Sequence, residues 1–82
     1  MNKILITFYV LYLETEYDLL IPINMPVKEV INLVQQSVSE LSEGVYKINS
    51  EALLYSENGT IINYNNIVKF SGLRNGSKVI LV

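Results

Sequence analysis

The chain has 82 residues, half of them hydrophobic and 17% charged, with a net charge of −2. That size makes one small domain, residues 1–82, with a modest core, and the apolar content excludes a disordered chain. With no cysteine or histidine and only six Lys and Arg, it has no disulfide framework, thiolate nucleophile or imidazole base, and no basic face for nucleic acid.

The first element is the run ILITFYVLYL, Ile4 to Leu13, preceded by Lys3 and followed by Glu14, Glu16 and Asp18. A signal peptide would need a small-residue cleavage pair after the run, and Leu13-Glu14-Thr15-Glu16-Tyr17 has the wrong chemistry. A membrane span needs about 20 apolar residues, roughly twice this length. The run therefore predicts no membrane insertion and a cytoplasmic protein that keeps the segment. Its Ile, Thr, Phe, Tyr and Val favour a pleated surface, so it reads as a strand. A second strand follows, with Tyr17, Leu19 and Ile21 inward and Glu16, Asp18 and Leu20 outward. A short link near Leu11 to Glu14 makes the two an antiparallel hairpin.

Val27, Val30, Ile31, Val34, Val38 and Leu41 repeat with the period of an amphipathic helix over Pro26 to Ser42. Pro26 suits the first turn, Asn24 is the expected N-cap, and Gly44 the left-handed C-terminal cap. Lys28, Asn32, Gln35, Gln36 and Ser39 make its solvated face. Further on, Asn58-Gly59 between apolar runs predicts a hairpin with a type I′ turn, both residues at positive φ. Ile67 and Phe70 are expected to anchor an irregular or 3₁₀ segment. Asn75-Gly76 marks another turn, and Val79 to Val82 a last strand. The order β-β-α-β-β-β gives an α+β fold, four to five strands with one helix across one sheet face.

Order and spacing resemble the ubiquitin-like β-grasp. The stretches EYDLLIPINMPVKEVINLV and FSGLRNGSKVILV are similar to the YukD-like (EsaB-like) family of bacterial ubiquitin-like proteins, which accompany the type VII, or WXG100, secretion machinery. The resemblance implies a mixed sheet with the first and last strands as central neighbours. It also implies an accessory or regulatory protein that acts by binding, and does not imply catalysis; with no histidine or cysteine, no cofactor or metal is expected. Glu14, Glu16 and Asp18 read as a solvated strand edge rather than an acid–base or metal site. The alternative class is a β-grasp carrier modified at its C-terminus. Carriers of that fold work through a terminal Gly-Gly, and the bulky Lys78-Val79-Ile80-Leu81-Val82 predicts no such chemistry.

With Ile4, Ile6, Phe8 and Val10 inward, Leu5, Thr7, Tyr9 and Leu11 point away from the helix. Leu20 joins them beside Leu5. Val79 and Leu81 inward put Ile80 and Val82 outward, and Leu53 and Tyr55 inward put Leu54 outward. Leu5, Tyr9, Leu11, Leu20, Leu54, Ile80 and Val82 are thus the candidate protein-binding residues on the open sheet face. By resemblance, Leu11, Leu54 and Val82 take the three strand positions of ubiquitin's receptor-binding patch. The occupant is a partner protein, a type VII secretion component on the family reading, or a second copy of the chain.

Overall fold

The structure, a computed structural model, describes residues 2–82. Its elements are β1 (Lys3–Val10), β2 (Thr15–Pro22), α1 (Val27–Leu41), β3 (Leu54–Ser56), a 3₁₀ turn (Val68–Phe70) and β4 (Ser77–Leu81). The sheet order is β2-β1-β4-β3. β1 and β2 are antiparallel with Leu5 opposite Leu20 and Val10 opposite Thr15. β1 and β4 are parallel, and β3 returns antiparallel to β4. The expected strand after Asn58-Gly59 shrinks to a single bridge between Tyr55 and Ile61.

One strand set builds the core as its alternation requires. Ile6, Phe8 and Val10 are fully buried, as are Ile21 and, across the interior, Val27, Val30, Val34 and Val38 of α1. Each such side chain contributes about 1.5–3 kcal/mol by leaving water. Leu41 also falls on the period, but it lies at the last helical residue and is exposed.

The helix starts one residue later than predicted, and not by a side-chain cap. Pro26 is the N-cap, in extended conformation, and no side chain caps the first turn. The free N–H groups are met from a distant loop: Val27 N–H donates to the Asn66 carbonyl (2.8 Å) and Lys28 N–H to the Tyr64 carbonyl (3.1 Å). Backbone carbonyls thus replace Asn24, since an orphan helix donor accepts any well-placed oxygen. The same loop bridges Ile67 to Pro26. Val68, not Phe70, is its anchor: Val68 is fully buried while Phe70 stands in solvent.

The C-terminus of α1 ends as predicted. Gly44 has φ of 83° and donates its N–H to the Ser39 carbonyl at 2.8 Å. A Cβ there would meet no neighbour, so only backbone strain opposes one. Gly44→Ala should therefore lower stability by about 1 kcal/mol in a urea titration, without changing the folded spectrum.

The Asn58-Gly59 turn departs from type I′. Gly59 alone has positive φ, 87°. Asn58 instead turns its side chain inward along the loop, where its Oδ1 accepts from Thr60 N–H (3.1 Å) and from the Ser56 hydroxyl. Ser56 N–H closes the loop on the Thr60 carbonyl at 2.8 Å. An Asx bond of this kind competes directly with the left-handed Asn of a type I′ turn.

Candidate protein-binding face

Helix α1 covers one face of the sheet and leaves the other open. Register fixes what the open face carries. Leu5 lies beside Leu20; Asp18, Thr7 and Lys78 form the next row; Glu16, Tyr9, Ile80 and Tyr55 the one after. At the end of the sheet Leu11 N–H donates to the Leu81 carbonyl (3.1 Å), and Leu53 and Val82 exchange backbone hydrogen bonds of 3.2 and 3.0 Å. Leu11 and Val82 line one hollow of about 420 Å³ with Tyr12, Tyr46, Lys47 and Asn49.

The structure corrects one candidate residue. Leu54 is fully buried, opposite Leu81 on the helix side. The register of this strand is one residue off the expected one, so Tyr55 rather than Leu54 lies opposite Ile80. Leu53 and Tyr55 are half-buried. Sequence alternation could not choose between adjacent leucines. A signal was nevertheless present: Glu51 and Glu57 share the parity of Leu53 and Tyr55, whereas Ala52 and Ser56 share that of Leu54.

The remaining candidates do not form one patch. Tyr9 and Ile80 adjoin each other, with Leu11 and Val82 one row further on. Leu5 and Leu20, 40% and 62% exposed, are cut off by the polar row Asp18-Thr7-Lys78. That row is held by its own bonds. The Thr7 hydroxyl donates to Asp18 at 2.7 Å, and Lys78 forms an ion pair with Glu16 diagonally across β1. Glu16, by hydrogen bond and then by charge, raises the Lys78 pKa above the usual lysine value.

Among the described residues no group of three or more His, Cys, Asp or Glu could hold a metal ion. Glu14, Glu16 and Asp18 are exposed, and the latter two have the partners just named. No helix among them is long and apolar enough to cross a membrane.

No family model and no curated protein matches the chain. Solved structures match over its whole length. A protein described as a molecular mimic of SUMO that promotes DNA repair superposes with a TM-score of 0.76 at 20% identity, covering 100% of this chain and 92% of that one. The ubiquitin-like domain of the Mycobacterium tuberculosis type VII secretion system protein ECCD1 gives 0.73 at 19% identity, with 100% and 99% covered. The EccD5 ubiquitin-like domain of Mycobacterium xenopi gives 0.72 at 13%, with 100% and 94% covered. The fold is the ubiquitin-like β-grasp. At these identities the fold is what is shared. Within the β-grasp, β1 and β4 are the central parallel pair, so Tyr9 and Ile80 sit at the middle of the open face.

One buried polar residue escaped the sequence reading. Gln35, assigned to the solvated side of the helix, is 1% exposed. Its Oε1 accepts from the Tyr46 hydroxyl (2.8 Å) and from Asn49 N–H (2.7 Å), and its Nε2 donates to the Asn49 carbonyl (3.0 Å). The signal was its position: Ile31, Val34, Gln35 and Val38 together complete the buried stripe. Burial raises the Tyr46 pKa above the ordinary tyrosine value. The loop so pinned carries Tyr46, whose ring meets Tyr12 edge-on at 6.5 Å. Gln35 thereby fixes one wall of the hollow beside Leu11 and Val82.

Proposed function

We propose that the chain is a non-conjugating ubiquitin-like protein–protein interaction module that binds through its open sheet face. On this reading it is a YukD-like cytoplasmic component of type VII (WXG100) secretion with an accessory or regulatory role. The observation that carries the binding is the apolar row at the centre of the sheet. Tyr9, Ile80 and Tyr55, each half-buried, lie side by side on the face that no described element covers, with the exposed Leu11 and Val82 one row further on. A strand open on one side ordinarily alternates apolar with polar residues, and exposed contiguous apolar surface marks an interaction site. Support for the secretion context is the likeness to the ubiquitin-like domain of ECCD1, together with the motif stretches around Pro26 and Gly72.

The test is affinity capture from the source cell with wild-type chain and with Tyr55→Ala/Ile80→Asp. The wild type should retain a type VII secretion ATPase or membrane component. The double variant should keep its circular dichroism spectrum and lose that protein by about tenfold or more, as expected when a central interface anchor is removed. Equal retention by a folded double variant overturns the face assignment. Sedimentation of the purified chain separates the other occupant, a second copy, which would appear as a dimer that the same substitutions dissociate.

A further inference from the structure

The open face is acidic as well as apolar, and its charges select the occupant. Glu57, just beyond β3, shares a shallow hollow of about 260 Å³ with Tyr9, Glu16, Lys78 and Ile80. Lys78 forms its ion pair with Glu16 and also lies in the field of Glu57, whose charge it offsets only in part. Among the described residues Glu57 has no salt-bridge partner, and Asp18 accepts only from the neutral Thr7 hydroxyl. Three carboxylates therefore face one ammonium around the Tyr9–Ile80 centre. The face's other cations are peripheral: Lys3 lies opposite Pro22 at one end, and Lys47 borders the hollow at the other.

Building on the open-face reading, we propose that the occupant is a protein surface with an apolar ridge bordered by lysine or arginine, its cations seating against Glu57 on one side of the Tyr9–Ile80 centre and Asp18 on the other, outside the Lys78–Glu16 pair. A wholly apolar partner would strip water from Glu57 and Asp18 and give nothing back, which is costly for ionised groups. An acidic partner would meet like charge on docking. A basic border compensates both carboxylates. The apolar ridge covers Ile80 and Tyr55. The same charges disfavour nucleic acid and anionic lipid as occupants.

The experiment is an NMR titration of the ¹⁵N-labelled chain with two amphipathic helical peptides. Both present the same leucine face; one carries lysine along its borders and the other glutamate. The lysine peptide should shift the amides of Tyr9, Tyr55 and Ile80 and bind about tenfold or more tighter than its twin, with an affinity that falls as salt rises. Asp18→Asn/Glu57→Gln, which leaves the Lys78–Glu16 pair in place, should remove most of that preference while leaving the folded spectrum intact. Equal binding of both peptides at this face, or a preference untouched by that double variant, overturns the charge inference and leaves the open-face reading standing. Binding of neither peptide at the face also overturns it, whereas the open-face reading is judged separately by the capture of a cellular partner.

Discussion

Replacing Leu54 with alanine should destabilise the domain by about 3 kcal/mol, and Leu53→Ala by less than about 1 kcal/mol. Leu54 is fully buried opposite Leu81, so truncation removes apolar contacts and leaves a cavity that the sheet and helix cannot collapse into. Leu53 is half-buried and loses much less. In a domain this small the larger loss is a sizeable share of the total stability. Thermal melts should show it as a fall in Tm of about 15 °C, against a few degrees for the neighbour. Equal effects at the two leucines would mean that β3 pairs in the other register. Leu54 is therefore unsuitable as a probe of binding: a charged residue there would abolish capture by unfolding the chain.

Gln35→Ala should cost about 2–3 kcal/mol. The substitution removes the hydrogen bonds to Tyr46 and Asn49 and leaves the Tyr46 hydroxyl without its partner in the interior. An unmet buried donor carries its desolvation penalty in addition to the lost bond. Tyr46→Phe alone should cost about 1 kcal/mol, and in the double variant the two losses should fall short of their sum by about 1 kcal/mol, because the residues share one bond. Urea unfolding of the four proteins measures this coupling. Hydrogen exchange adds a local readout: the Asn49 amide should lose protection in Gln35→Ala before the helix does. Strict additivity would show that Gln35 and Tyr46 do not support each other.

Where polar residues mark the outward parity, as Lys3 and Thr7 do in β1, the inward set is legible. Ile4, Ile6, Phe8 and Val10 are all buried, and the hairpin pairs Leu5 with Leu20 as expected. Where two apolar residues stand together, as at Leu53-Leu54, alternation gives two equivalent registers and only the flanking acids break the tie. Gln35 shows the opposite limit. Its helical position was legible but its polarity was read as exposure, because its partners Tyr46 and Asn49 lie in a loop with no periodicity. The N-terminus of α1 was misassigned to Asn24 for a related reason: its acceptors are backbone carbonyls of residues 64 and 66, which no side-chain code announces. The face itself was partly legible. Tyr9, Ile80, Leu11 and Val82 lie at neighbouring positions, but Thr7 and Asp18 split Leu5 and Leu20 from them through cross-strand pairing that strand parity alone does not show.

The parallel pairing of β1 with β4 also sets a kinetic constraint. The two middle strands of the sheet come from opposite parts of the chain, Lys3–Val10 and Ser77–Leu81. The β1–β2 hairpin and α1 are local, yet neither has a complete sheet to pack on until β4 is inserted between β1 and β3. Such a topology has high contact order, so folding should be slower than that of a helical bundle of the same size. During synthesis the half-built sheet would present β1 with an unpaired edge until residues 77–81 leave the ribosome, and that interval is when the nascent chain is most exposed to mispairing.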